Sequence, residues 1–144
     1  MDFLSAKQRS LLMSKVLSEN TTAELLVRKA AHALGLRYRL HRRDLPGTPD
    51  LVFPQYRVAL FVHGCFWHRH PGCNKATTPK SHVRFWLEKF ERNVERDKRV
   101  NSALRRLGWH PKIIWECETK KPEVLAKLLR KIFQQRQSMR KPHN

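Results

Sequence analysis

The spacing of apolar residues divides the chain into helical and extended stretches whose order constrains the fold before any chemistry is considered. Residues 5–17 read as a basic helix. Thr21-Thr22-Ala23-Glu24 has the pattern of a capping box, and Leu25, Leu26, Ala30, Ala33 and Leu34 follow at helical spacing until Gly35 ends the helix. Residues 37–41 alternate as a strand does, residues 45–49 form a Pro/Gly turn, and residues 50–53 and 57–62 make two further strands in hairpin order. Ser81 is placed to cap a long helix with Val83, Leu87, Phe90, Val94, Leu104 and Leu107 on one face, closed by Gly108. Residues 112–115 are a last strand, and Pro122 suits the first turn of a final helix reaching about residue 135. No internal repeat or long linker interrupts this order. The succession α-α-β-β-β-α-β-α predicts an α/β protein, one domain over residues 1–137, with a basic, frayed tail over residues 138–144.

A chain of 144 residues fits one domain with a real core, and therefore one active site. Its longest apolar run, residues 58–62, is far short of the roughly 20 needed to span a bilayer, and no N-terminal signal segment is evident. A soluble, cytoplasmic protein is expected. Thirty Lys and Arg against twelve Asp and Glu give a formal charge of +18. Such an excess repels itself in a compact fold unless a polyanion is the partner, which points to nucleic acid. The basic residues are spread along the chain and not gathered on one amphipathic helix, which argues against a membrane surface. Ribosomal and histone-like proteins share this charge, so charge alone does not separate an enzyme from a binding protein.

The densest chemistry lies in His63-Gly64-Cys65-Phe66-Trp67-His68-Arg69-His70-Pro71-Gly72-Cys73. Thiolate and neutral imidazole are the ligands Zn²⁺ prefers, so Cys65, Cys73, one nearby His and the only other cysteine, Cys117, form a Cys₃His set for a structural zinc site. Buried thiols acting as small hydrophobes would sit in apolar runs, whereas these lie among Gly, Pro, His and Arg. An odd cysteine count argues against disulfides. His70, between the two thiols, is the better-placed ligand, leaving His68 to point elsewhere; spacing alone does not settle that choice.

Pro49-Asp50 opens a strand after a turn, and hairpin pairing would bring Val62 and His63 beside it, so that carboxylate and imidazole converge at one sheet end. This arrangement resembles the restriction-endonuclease-like fold, a central mixed sheet flanked by helices, whose usual pattern is Pro-Asp on one strand and Asp/Glu-x-Lys on the next. Here Val62 stands in place of the second acid and Gly64 in place of the lysine. That departure, with His-Gly-Cys-Phe-Trp-His, narrows the resemblance to the very-short-patch-repair DNA mismatch endonucleases. It runs from about residue 9 to residue 117. The matching segments are Leu-Pro-Gly-x-Pro-Asp at 45–50, the segment at 63–73, Phe-Trp-Leu-Glu-Lys at 85–89, Asn-Val-Glu-Arg-Asp at 93–97, Gly108-Trp109 and Trp115-Glu116-Cys117.

The resemblance implies nicking of duplex DNA on the 5′ side of the T in a T·G mismatch, to begin replacement of that T, by a protein expected to act as a monomer. Phosphodiester hydrolysis calls for a hard ion such as Mg²⁺ on oxygen ligands, here the Asp50 carboxylate. The resemblance adds the main-chain carbonyl of Val62. Imidazole is the side chain suited to proton transfer near neutral pH, so one of His63 and His68 would serve as base and the other would stabilise the phosphate or leaving oxygen, with the assignment open. Glu24 matches a family active-site acid that orients a histidine or water, although it would equally cap its helix. Asp97 falls on the apolar side of the long helix and should be paired with a histidine or arginine. Phe66, Trp67 and Trp86 match the family's intercalating wedge, the alternative being a hydrophobic cluster around the zinc site. Trp109 and Trp115 are expected in the core. Lys7, Arg9 and Lys15, with Arg37, Arg39, Arg42 and Arg43, would contact phosphates. The competing readings are a nuclease of the same fold acting on matched or branched DNA and a zinc-stabilised DNA-binding protein. An acid with two spare imidazoles argues against the latter.

Overall fold

The computed structural model describes residues 21–139, so the helix expected at residues 5–17, with its basic residues, lies outside the described residues. Helix α1 (Thr22–Ala33) is followed by β1 (Arg39–Leu40), β2 (Leu51–Phe53), β3 (Val58–His63), α2 (Val83–Arg106), β4 (His110–Trp115), a 3₁₀ turn (Glu116–Thr119) and α3 (Pro122–Met139). The strands form one sheet in the order β1-β2-β3-β4. The first three are antiparallel neighbours, while β4 lies parallel to β3, as the crossover through α2 requires. This is the mixed sheet flanked by helices expected from the sequence. Among the described residues no helix is long and apolar enough to cross a membrane.

Alternation along the strands divides the core into two layers. Leu51, Phe53, Val58, Leu60 and Ile114 pack with Val27 and Ala31 of α1 and with Leu125, Leu129 and Phe133 of α3. Val52, Ala59 and Phe61 pack with Leu104, Val100 and Trp109. Because successive side chains of a strand leave on opposite faces, Val62 joins the α1/α3 layer and His63 follows Phe61 towards α2. Burial on both faces is why these strands read as apolar runs.

Several sequence expectations shift in detail. The strand at 37–41 shrinks to two residues, and the last strand begins at His110, not residue 112. The last strand admits Pro111 because it lies at the sheet edge. The final helix continues past residue 135 to Met139. Ser81 does not cap α2: the capping position is His82, in the left-handed region with no side-chain cap bond. The buried face of α2 also differs, being Trp86, Phe90 and Leu104, with Val83, Leu87 and Leu107 exposed. The cause is length. A 24-residue helix spans about 36 Å, whereas a six-residue strand spans about 20 Å, so only part of α2 overlies the sheet. Its first turns pack against Phe66 of the cysteine-rich loop, which a single apolar stripe does not anticipate.

The turn before β2 is fitted tightly to α2. Gly47 has a φ of +75°, and a Cβ there would collide with the side chain of Val100. Glycine is thus required for both conformation and space, and the close approach fixes Pro49 and Asp50 at the leading end of β2.

Candidate active site

Asp50 precedes β2 and faces the end of β3. Its Oδ2 accepts a hydrogen bond from the Val62 amide at 2.7 Å. Burial pushes its carboxyl up to about 6, with the neighbouring Glu24 charge adding to the rise and the Val62 amide opposing it. In a strand the N–H and C=O of one residue leave on the same side, so the Val62 carbonyl also faces the β2 side of the sheet. Glu24, only 2% exposed, reaches the same place from the first turn of α1. Thr21 caps the helix by accepting from the Glu24 amide at 3.1 Å, while the Glu24 carboxylate holds Arg28 at 2.8 Å and His41 Nε2 at 2.5 Å. Sequence reasoning missed His41. The signal was available in the hairpin register: Leu40 pairs with Leu51, so His41 falls opposite Asp50, and its amide donates to the Asp50 carbonyl at 3.2 Å.

The second cluster forms on the α2 side. His63, at the end of β3, stacks on His68 with ring centroids 3.8 Å apart and planes 9° from parallel. His68 Nδ1 lies 2.7 Å from Asp97 Oδ2, the partner expected for that carboxylate. When the His68 ring is neutral and donates Nδ1–H to Asp97, its lone pair is on Nε2. Burial, reinforced by the His68 charge, pushes His63 down to about 3, so its ring is neutral at pH 7. Its Nδ1 is buried without a hydrogen-bond partner among the described residues.

The third cluster joins the cysteine-rich loop to the end of β4. Parallel pairing sets His63 opposite Trp115, so Cys65 and Cys117, each two residues further on, meet at the same sheet end. His70 Nδ1 lies 3.7 Å from Cys65 Sγ and 3.5 Å from Cys117 Sγ, and Cys73 completes the group. Tetrahedral Zn²⁺ with bonds of about 2.3 Å to sulfur and 2.0–2.1 Å to nitrogen separates such atoms by about 3.5 Å. The four donors therefore have the identity and spacing of a metal site. Burial pushes the Cys65 thiol up to about 12, so ionised sulfurs here need a cation beside them. Trp115, expected in the core, instead stacks on His70 at 4.3 Å and meets His63 edge-on at 5.4 Å, separating this cluster from the second. Trp109 is in the core, as expected.

Phe66 and Trp67, both half-buried, line a cleft of about 1110 Å³ together with Asp50, His63, His68 and Asp97. Trp86 is buried behind them and does not line it, with its ring 5.8 Å from Phe66 and 5.9 Å from Trp67. Arg69, which sequence reasoning passed over, anchors this loop. Its guanidinium donates to the Thr77 carbonyl at 2.8 Å and the Ala76 carbonyl at 2.9 Å, and lies 4.0 Å from the centre of the Phe90 ring. Asn93 of α2 donates to the Trp67 carbonyl at 3.2 Å. Lys89, Arg96 and Arg43 give the cleft a cationic wall suited to a phosphodiester backbone. Arg42 and Arg57 instead lie over Trp109, and Arg57 also binds the Leu107 and Gly108 carbonyls at the end of α2.

A carboxylate at the end of the central strands, an Asp-oriented imidazole and a cationic cleft on a mixed sheet define a nuclease of the restriction-endonuclease-like class. Within that class, the family described as "DNA mismatch endonuclease Vsr" matches residues 1–75. The "Type II nicking enzyme V.XorIIP" of Xanthomonas oryzae is 49% identical over 132 residues, covering 92% of this chain and 96% of the relative. The "Type II nicking enzyme V.NmeAIP" of Neisseria meningitidis is 38% identical over 134 residues, covering 93% and 95%. The "DNA mismatch endonuclease Vsr" of Escherichia coli is 41% identical over 118 residues, covering 82% and 75%. The chain belongs to the Vsr family and is a DNA endonuclease.

Proposed function

We propose that this protein, as a monomer, nicks duplex DNA on the 5′ side of the T in a T·G mismatch by metal-dependent hydrolysis, to begin short-patch repair. The observation that carries this reading is one cleft lined by Asp50, by the His68–Asp97 pair and by Phe66 and Trp67. Mg²⁺ on the Asp50 carboxylate and the Val62 carbonyl would supply charge neutralisation at the phosphate and a more acidic water. His68, with Nδ1 committed to Asp97, takes the proton of the attacking water at Nε2. His63, held neutral, donates a hydrogen bond to the phosphate or leaving oxygen, and the leaving oxygen takes its proton from solvent water. Glu24 holds the His41 ring next to Asp50. Phe66 and Trp67 wedge into the stack at the mispair, where unstacking costs least, with Trp86 as their backing. Zn²⁺ held by Cys65, His70, Cys73 and Cys117 would keep that loop rigid.

The test separates binding from cleavage. Asp50→Asn should reduce nicking of a T·G duplex at least about 1000-fold while leaving duplex affinity within about threefold, because it removes an ion ligand and no phosphate contact. His68→Ala should cost about 100-fold or more in rate without changing zinc content. An Asp50→Asn protein that loses binding in proportion to cleavage would make Asp50 architectural. Loss of zinc in His68→Ala would exchange the roles of His68 and His70.

A further inference from the structure

We propose that His41 is a direct nitrogen ligand of the divalent ion held at Asp50, so that the site favours ions accepting imidazole, such as Mn²⁺, over Mg²⁺. The proposal rests on the reading that Asp50 binds the ion and extends the donor set beyond oxygen. Three segments converge here: Glu24 from the first turn of α1, His41 just after β1, and Asp50 just before β2. One donor atom from each lies within 4.8 Å of the others. The ring of His41 is not there by chance of a flexible side chain. Its amide is bonded to the Asp50 carbonyl, its ring bears on Glu24, and it lines the cleft. Its backbone is also left-handed, with φ +46°, a conformation unfavourable for a non-glycine residue that persists where surroundings impose it.

Two carboxylates and an imidazole make a different site from an all-oxygen one. Mg²⁺ takes oxygen almost exclusively, whereas divalent transition ions also accept imidazole, Mn²⁺ most weakly and with an affinity for nitrogen-containing sites that rises towards Cu²⁺. If His41 only orients Glu24 through its hydrogen bond, the bound ion sees no nitrogen. That difference is directly measurable.

The experiment adds Mn²⁺ to the zinc-loaded protein without DNA and records pulsed electron paramagnetic resonance. A directly bound ¹⁴N should modulate the echo in the unsubstituted protein, and labelling histidine with ¹⁵N should change the pattern, a readout that needs no substitution. His41→Gln, which keeps a hydrogen-bond donor for Glu24, should abolish the nitrogen coupling, and His63→Gln should retain it. Mn²⁺ affinity should fall about tenfold in His41→Gln and Mg²⁺ affinity less than about twofold. Mn²⁺ bound in an Asp50-dependent manner with no nitrogen coupling would overturn the inference alone, as would coupling unchanged in His41→Gln. Mn²⁺ binding that Asp50→Asn leaves intact would overturn both the inference and the reading of Asp50 on which it rests.

Discussion

Asp50 is held by one main-chain donor, the Val62 amide, in surroundings that resist its charge. Its folded value of about 6 lies above the ordinary carboxylate value of 3.8, so the native state binds a proton more readily than the unfolded chain. Ionised Asp50 therefore destabilises the fold, and the penalty, up to about 3 kcal/mol at pH 7, fades as pH falls from about 6 to below about 4. Asp50→Asn should therefore raise the thermal midpoint in Mg²⁺-free buffer at pH 7.5, and the gain should vanish near pH 4. Thermal melts of both proteins at the two pH values check this; equal midpoints at pH 7.5 would mean the carboxylate is not strained by burial. At this scale much of the site was legible. Pro49-Asp50, the cysteines, His70 and the need of Asp97 for a partner are local signals, whereas His41 became visible only through register, and the neutrality of His63 only through burial by neighbours remote in sequence.

Elements explain why residues so far apart meet. Parallel pairing of β3 with β4 carries Cys117 to Cys65 across 52 positions of sequence, a consequence of register and not of any local pattern. The Cys65 amide donates to Glu116 Oε1 at 3.2 Å, and a metal shared by Cys117 would add a second tie between the end of β4 and the cysteine-rich loop. Cys117→Ser should thus lower zinc content and thermal stability together, the latter by several kcal/mol given how much of such a site's folding free energy comes from the metal. Elemental analysis and a melt on the same sample check it, and full zinc occupancy in that variant would remove Cys117 from the site. The apolar stripe of α2 was the least legible element. Its first turns answer to Phe66, while Leu104 of its last turns packs with Val52, Ala59, Phe61 and Trp109, so one helix serves two surfaces and no single periodicity describes it.

Over the whole molecule, the fold class followed from element order, while the cleft is lined from two sheet-end clusters that the chain reaches by separate routes, those of Asp50 with His41 and of His63, His68 and Asp97. On the proposed reading, recognition and hydrolysis would share that cleft, because Phe66 and Trp67 are one to four residues from His63 and His68 along the loop that Arg69 and Asn93 anchor. Nonspecific affinity, by contrast, belongs to the charge of +18 and should fall steeply with salt. Replacing Phe66 and Trp67 together by Ala should accordingly bring the ratio of T·G to matched-duplex affinity at fixed ionic strength close to one, with zinc content and matched-duplex affinity preserved. An unchanged ratio in a folded, zinc-loaded protein would assign these rings to packing. The most direct measurement is the nicking rate, with Mg²⁺, on end-labelled duplexes that are matched, T·G mispaired or branched. The expected result is a single nick 5′ to the mispaired T and negligible cleavage of the other two; equal cutting of matched duplex, or a preference for the branched one, would contradict the account.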